Sequence, residues 1–316
     1  MIMTEIAAQL KHHPCCYCGS EGGNVMIRGG DLLEDLPGTF QFVECEGCKL
    51  LRQNPRLDWE NLSNFYKPGY VCHTLQTTRE QSKLQEFNLS LGPRKRVDLV
   101  QRNKPAGAWL DVGCGSGLVL QAAKKRGHWE LSGVEPVKEM ARYTSDNLNI
   151  PVFPSTFEEY PVQDNAFDVI SMWDVLEHLA EPFNAIEKVS RLLKPDGVFA
   201  FSTPNLSALD RKIFRDSWLG YDLPRHLHLF PDELLRNSLK DNGLTVTNRF
   251  CFTGSYGTFF LDLKYWNKRK HSKIVDKILS KGPSGLGYRL LTFLPLRLVD
   301  WLKVGTNITY VARKNG

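Results

Sequence analysis

The 316 residues are 42% hydrophobic and 24% charged, with a formal net charge of +5 at neutral pH. A chain of this length and composition buries a full core, and the absence of a repeat period or low-complexity tract excludes a fibre or a solenoid. The charge is uneven: residues 263–316 hold 12 Lys or Arg against Asp276 and Asp300, about +10, which leaves about −5 for the rest. That asymmetry fits an anionic partner for the C-terminal part (nucleic acid, a phosphorylated substrate or a membrane surface), or else a solvated basic face.

The first eight residues lack the basic start and apolar run of a secretory signal, and no later stretch holds 18 uncharged apolar residues. The expected location is cytoplasmic, with a peripheral place at the inner face of the membrane as an option. In that reducing compartment the eight cysteines read as metal ligands and buried thiols rather than disulfides.

Four of them form two pairs, Cys15/Cys18 and Cys45/Cys48, in a C-x2-C…C-x2-C pattern with 26 residues between the pairs. A two-residue gap lets two thiolates from one tight turn face the same ion, and a second such turn completes a tetrahedral sulfur shell suited to Zn²⁺. Gly19 and Gly47 fit the turns. The alternating stretch Phe40–Val43 predicts a strand leading into the second turn, as in a zinc ribbon. Cys16 could replace Cys15 only by shortening the spacing. The competing reading, two redox-active pairs, lacks the flanking βαβ pattern such pairs need. With four protein ligands the metal is structural, holding a module over residues 1–58 that is too small for its own core.

Residues 108–135 carry the strongest signal. An apolar run, Ala108-Trp-Leu-Asp111, ends in the glycine-rich turn Val112-Gly-Cys-Gly-Ser-Gly117. A helix-like stretch from Leu118 to Arg126 follows, and a second strand, Leu131–Val134, closes on Glu135, 18 positions after Gly117. Strand, loop, helix, strand is a nucleotide-binding half-fold with Glu135 placed for ribose hydroxyls. Gly113, Gly115 and Gly117 are spaced G-x-G-x-G, whereas a dinucleotide pyrophosphate requires G-x-G-x-x-G and a P-loop requires Gly-Lys-Ser/Thr. Asp111 also disfavours a pyrophosphate but suits a cationic amino group.

Asp111-Val-Gly-Cys-Gly-Ser-Gly117 resembles the first motif of the class I S-adenosylmethionine methyltransferases, and the resemblance extends over roughly residues 105–250. It implies an α/β fold, a doubly wound, mostly parallel seven-stranded sheet of Rossmann-like type, here preceded by the small zinc ribbon. It also implies S-adenosylmethionine as cofactor, with Gly113, Gly115 and Gly117 against its methionine and ribose parts and Glu135 on the ribose. Thr156 and Phe157, after the third strand, fall in the adenine-flanking loop, although Phe157 could equally be core. The apolar run Phe167–Asp174 predicts a buried fourth strand, with Trp173 beside the cofactor. It leads into Val175-Leu-Glu-His178, a tetrad like that of the ubiquinone-pathway O-methyltransferases.

Further along, Phe183, Ile186, Val189, Leu192 and Leu193 recur at helical spacing, Lys194-Pro-Asp-Gly197 reads as a turn, and Val198–Thr203 as a fifth strand. Pro231-Asp-Glu starts a helix whose Leu234, Leu235 and Leu239 face inward, closed by Gly243 before a sixth strand. Asn307–Ala312 is expected as the last strand, antiparallel to the rest.

Tyr221-Asp-Leu-Pro-Arg-His-Leu-His-Leu-Phe230 lies between the fifth strand and that helix and is dense in titratable groups. It resembles the Pro-Arg-His-Leu-x-His-Phe segment of a zinc-module-bearing bacterial branch of these enzymes. The same branch has an Asn-Pro-Arg after the second cysteine pair, here Asn54–Arg56, and a Phe-Tyr-x3-Tyr, here Phe65–Tyr70. Methyl transfer needs alignment and, for an alcohol or activated carbon, proton removal, for which histidine is suited. His226 is the first candidate general base and His178 the second; for each the alternative is a histidine that holds the loop. Tyr66 and Tyr70, in a helical linker over 59–104, serve as a lid on the cofactor or pack the domain junction.

The catalytic domain is expected over 105–316, with a basic and hydrophobic insertion at about 255–303. Its Trp and Leu residues edged by Lys and Arg suit an interfacial membrane contact, hence a lipid-linked acceptor, or else a lid or dimer surface. The sequence thus favours an enzyme that methylates a small-molecule, glycan or lipid-linked acceptor, most readily on oxygen. An RNA methyltransferase is the first rival, but the Asn-Pro-Pro-Tyr type of tetrad is missing and Ser202-Thr-Pro-Asn205 is a poor substitute, so nucleic acid is not the expected partner. A zinc-ribbon scaffold without activity is the second, opposed by the intact loop and Glu135.

Overall fold

The computed structural model describes residues 9–66, 83–161, 163–251, 255–280, 295 and 298–316. Their strands in chain order are β1 (Gly23–Gly29), β2 (Phe40–Cys45), β3 (Leu51–Gln53), β4 (Gly107–Val112), β5 (Trp129–Val134), β6 (Val152–Phe153), β7 (Phe167–Trp173), β8 (Leu193–Pro204), β9 (His228–Leu229), β10 (Leu244–Phe250) and β11 (Asn307–Lys314). The chain divides into two compact units. One comprises Met1–Phe65, Thr203–Leu234 and Phe250–Thr309; the other comprises Tyr66–Ser202, Leu235–Arg249 and Tyr310–Gly316.

The second unit is built on a seven-stranded sheet in the order β10-β11-β8-β7-β4-β5-β6. β4, β5 and β6 run parallel in one direction across the sheet, and β7 and β8 continue parallel on the other side of β4. The chain therefore reverses its winding between β4 and β7, and a crevice opens at the carboxyl ends of strands that flank such a point. Strands covered on both faces read as continuous apolar runs, and Trp109, Leu110, Val169, Ile170, Met172 and Val198–Phe201 are all buried accordingly. The helices Leu118–Lys124, Lys138–Leu148, Pro182–Leu192 and Asp232–Asp241 follow the expected periodicity, with Ile186, Val189, Leu192, Leu235 and Leu239 inside.

Two local expectations differ. Leu193 does not extend its helix but opens β8, and Lys194–Gly197 lies within that strand as an irregularity rather than as a separate turn. Leu193 pairs with Phe167 and Val198 with Val169, five positions on one strand against two on the other. Asp196, at a φ of +59°, takes up the excess length.

The first unit carries a four-stranded sheet, β1-β2-β3-β9, antiparallel throughout. Phe40–Val43 forms the expected strand into the second cysteine pair. The unexpected member is β9: Leu51 pairs with Leu229 and Arg52 with His228, so the histidine-rich segment completes the cysteine-bearing sheet. Among the described residues no helix is long and apolar enough to cross a membrane.

Candidate active site

In the parallel-sheet unit, Asp111 stands at the end of β4 and Glu135 just past β5, both buried. Glu135 accepts hydrogen bonds from Gly115 N (2.9 Å) and Val137 N (2.9 Å), so its carboxylate sets the shape of the glycine turn before any ligand arrives. Gly113 and Gly117 have φ of +64° and +76°. A Cβ on Gly117 would lie 2.6 Å from Thr144 Cγ2, and one on Gly113 2.6 Å from Val175 Cγ2, so both the turn and its packing demand glycine. Thr144 Oγ1 donates to Gly115 O at 2.7 Å and fixes the third side of the turn.

Burial pushes the Asp111 carboxyl up to about 7, against the Ser171 hydroxyl bonded to it and the Arg96 charge, which both favour the ionised form. Trp109 Nε1 donates to Ser171 Oγ (2.8 Å), and Ser171 Oγ donates to Asp111, so a buried relay holds this side chain. Burial likewise raises Glu135, partly offset by the backbone N–H groups of Val137 and Gly115. A cradle whose two acids are held short of easy ionisation gains most from a cationic or multiply donating ligand.

Trp173 ends β7 and is buried, with the Arg96 guanidinium 5.0 Å above its ring. Arg96 also donates to Asp174 Oδ2 at 2.8 Å, while Ser202 Oγ donates to Asp174 Oδ1 at 2.9 Å. Sequence reasoning missed Arg96, which sits in the helix Lys83–Asn103 outside any local motif. Thr156 is half-buried and its Oγ1 accepts from Glu159 N; Phe157 is buried. A second missed residue, Lys188, places its ammonium 5.1 Å over the Phe157 ring and donates to the carbonyls of Phe157, Glu158 and Tyr160. His178 lies in this unit too, its Nδ1 3.0 Å from the Tyr66 hydroxyl. Tyr70 lies outside the described residues.

In the other unit, the Sγ atoms of Cys15, Cys18, Cys45 and Cys48 lie within 4.8 Å of one another. Cys15–Cys48 and Cys18–Cys45 are each 3.5 Å apart, against about 3.8 Å for the edge of a tetrahedron with 2.3 Å zinc–sulfur bonds. The two turns repeat each other: Cys15 N donates to Ser20 O and Gly19 N to Cys15 O, just as Cys45 N donates to Leu50 O and Lys49 N to Cys45 O. Gly19 and Lys49 occupy equivalent places at φ of +73° and +65°. Gly47 fits its turn through close approach, for a Cβ there would lie 3.1 Å from Cys18 Sγ. Cys16 points away from the cluster, its Sγ 3.4 Å from His228 Nε2. Burial works against thiolate formation at Cys45, but the N–H groups of Cys48 and Gly47 and the thiols of Cys18 and Cys15 bring it down to about 6; burial drives Cys48 and Cys15 upward.

His226 is buried, and its Nδ1 is 2.9 Å from Gly220 O. A carbonyl only accepts, so Nδ1 carries a proton, and it is in the neutral form of the ring that the lone pair falls on Nε2, 4.0 Å from Asp222 Oδ2. Arg225, next in the chain, has no exposed side-chain surface. It donates to both oxygens of Asp222, both oxygens of Asp31 and the carbonyl of Phe65. Burial opposes its charge, but Asp222 and Asp31 more than restore it, so the guanidinium holds its proton well above the usual range.

The family described as a methyltransferase domain matches residues 81–248, more than half of the chain. A ubiquinone biosynthesis O-methyltransferase of Histophilus somni (strain 2336) is 37% identical over 225 residues, 66% of this chain and 85% of that protein. Its counterpart in Actinobacillus pleuropneumoniae serotype 5b (strain L20) is 34% identical over 161 residues, 44% of this chain and 68% of that protein. In fold, the chain is similar to a putative sarcosine dimethylglycine methyltransferase from Galdieria sulphuraria, with a TM-score of 0.50, 16% identity, and 75% and 89% of the two chains covered.

Proposed function

The chain belongs to the methyltransferase-domain family and is an S-adenosylmethionine-dependent methyltransferase, and from that premise we propose that it methylates an oxygen of a small-molecule acceptor. The observation that carries the reading is the preformed cradle of Asp111, Gly113, Gly115, Gly117 and Glu135 at the point where the sheet reverses its winding. It fits the cofactor part by part. Each Glu135 oxygen accepts one backbone N–H and has further lone-pair capacity for a ribose hydroxyl. Asp111 suits the ammonium of the methionine moiety, and Arg96, in electrostatic reach of Asp111 and stacked on Trp173, suits its carboxylate. Thr156 and Phe157 border the adenine, in a loop whose carbonyls Lys188 holds.

Bound S-adenosylmethionine supplies an electrophilic methyl group on a sulfonium. What remains for the chain is to orient the acceptor, exclude water and remove a proton from its hydroxyl. We assign that proton to Nε2 of His226, the nitrogen that carries the lone pair in the tautomer set by Gly220 O. His178, whose Nδ1 is engaged with Tyr66, is the second candidate. Cys15, Cys18, Cys45 and Cys48 would hold a structural zinc; backbone N–H groups aimed at the sulfurs and near-tetrahedral spacing favour it.

The relatives' names, O-methyltransferases of ubiquinone biosynthesis, make a ubiquinone precursor the first acceptor to try. Membrane approach is supported by the helix Lys273–Ser280, which buries none of its residues and leaves Ile274 75% exposed, and by Trp301, 76% exposed. Lys273 and Lys277 within that helix and Lys270 just before it add positive charge. Residues 281–294, 296 and 297 of the expected contact lie outside the described residues.

The test is calorimetric titration of the zinc-replete protein with S-adenosylmethionine and S-adenosylhomocysteine, then transfer of a labelled methyl group to polyprenyl catechols. Micromolar binding and methyl ether formation are expected. Absence of binding for both nucleosides overturns the assignment of the cradle; binding with transfer only to RNA or to nitrogen acceptors overturns the acceptor class. Flotation with anionic vesicles at low salt tests the surface, and a chain that stays at the bottom of the gradient removes the membrane from the proposal.

A further inference from the structure

We infer that the cysteine-bearing sheet is the device that positions His226, with Arg225 and Gln53 as its positioning residues. This rests on the reading of His226 as the base. The segment Tyr221–Phe230 has no regular structure beyond the end of a short 3-10 turn at Tyr221 and the two residues of β9, yet it is buried throughout. What orders it comes from the N-terminal part of the chain. Gln53 N donates to Leu227 O at 2.8 Å, and Gln53 Nε2 donates to the carbonyls of Pro224 (2.8 Å) and His226 (2.5 Å). Arg225 binds Asp31, 194 residues away, through two parallel hydrogen bonds of 2.6 and 3.1 Å. Phe42 packs against Tyr221 with ring centroids 5.8 Å apart.

Each bond bears on the ring of His226. Its carbonyl is fixed by Gln53, its N–H donates to Asp222 O (3.0 Å), and its Nδ1 is fixed by Gly220. Asp222 is in turn held by Arg225, which Asp31 holds. A planar fork gripped from two sides fixes a loop in translation and rotation, which a lysine point charge does not. Arg225 is therefore not required to touch substrate. It transmits the position of β3 and of the turn at Asp31 to the tautomer and placement of the neighbouring imidazole.

The experiment uses the full, zinc-replete chain with ¹⁵N-labelled histidine, His226→Gln serving to assign the ring signal. In the parent protein the His226 ring is expected in the Nδ1–H form. In Arg225→Lys, Asp31→Asn and Gln53→Met that signal is expected to move toward the mixture of tautomers of a free histidine, while one zinc per chain is kept and affinity for S-adenosylmethionine stays within about twofold. Where transfer to a catechol is measurable, kcat should fall by up to about 100-fold, the cost of misplacing a reacting group by an ångström. The inference is overturned if the ring signal is unchanged in Asp31→Asn and Gln53→Met, which keep side-chain volume, or if zinc content and cofactor affinity are lost together with it. Failure of the base assignment looks different: His226→Gln would retain full turnover whatever the ring signal does in the other variants.

Discussion

The two units reach order by opposite routes. In the parallel-sheet unit, the cradle itself, Asp111, Gly113, Gly115, Gly117 and Glu135, lies within 25 residues of sequence in one strand–turn–helix–strand passage, with Thr144 and Ser171 bonded to it from further along the chain. In the cysteine-bearing unit, the sheet draws on residues 23–53 and 228–229, and its central ion-pair cluster joins Asp31 to Arg225. A local motif remains competent when distant parts loosen, whereas a site assembled across 194 residues depends on everything that holds its ends together. Perturbing each unit separately should therefore give different losses.

The largest effect is expected from Cys45→Ser. A structural zinc contributes on the order of 10 kcal/mol in small modules, and in this variant only three sulfurs remain to hold one, with burial opposing ionisation of Cys15 and Cys48. Loss of bound zinc and rapid amide exchange over 40–53 are expected, with exchange at β4 and β5 and the binding of S-adenosylmethionine preserved to within a few-fold. Equal loss in both units would break the contrast. Glu135→Ala is the converse experiment. It strips the acceptors from Gly115 N and Val137 N, and each orphaned buried donor costs about 1–3 kcal/mol. Cofactor affinity should drop at least 100-fold, the equivalent of about 3 kcal/mol, while zinc content and the His226 signal remain.

The contrast also explains how much could be read from sequence. The Asp111–Gly117 turn, Glu135 and the cysteine pairs are contiguous or regularly spaced, so their chemistry is visible without a fold. The segment 221–230 was visible as a cluster of functional side chains, but not as the fourth strand of the cysteine sheet, because a two-residue strand has no periodicity to detect. Arg96 and Lys188 sit on helices where a basic residue ordinarily means solvent, and only tertiary contact turns them toward Trp173 and the 157–160 carbonyls. The unit boundaries were illegible for the same reason: chain order does not reveal that residues 203–234 share a unit with residues 1–65.

A smaller effect concerns pH. Asp111, raised from 3.8 to about 7 by burial, binds a proton more tightly in the folded protein than in the unfolded chain. The ligand-free protein should consequently lose stability as pH rises from about 4 to about 7, by on the order of 4 kcal/mol at most. A cationic ligand reverses the sign, since it favours the carboxylate. The dissociation constant for S-adenosylmethionine should rise up to about tenfold per pH unit on acidification below about 7, and the thermal shift produced by the cofactor should be larger at pH 8 than at pH 6. Asp111→Asn should flatten both profiles, and flat profiles in the parent protein would remove Asp111 from the ammonium site.

The smallest expected difference lies inside the cysteine unit, between its two matching turns. Gly19 and Lys49 hold the same left-handed place, one with a residue suited to it and one without. An L side chain there costs about 1 kcal/mol, so Gly19→Ala should destabilise by about that amount, and Lys49→Gly should stabilise by somewhat less, because glycine also loses more freedom on folding. Chemical denaturation with zinc present measures both. If the two substitutions shift the midpoint in opposite directions, the turns are equivalent in energy as well as in hydrogen bonding. If Lys49→Gly destabilises, the Lys49 side chain, 3.6 Å from Glu44 Oε1, holds the second turn in a way the first has no counterpart for.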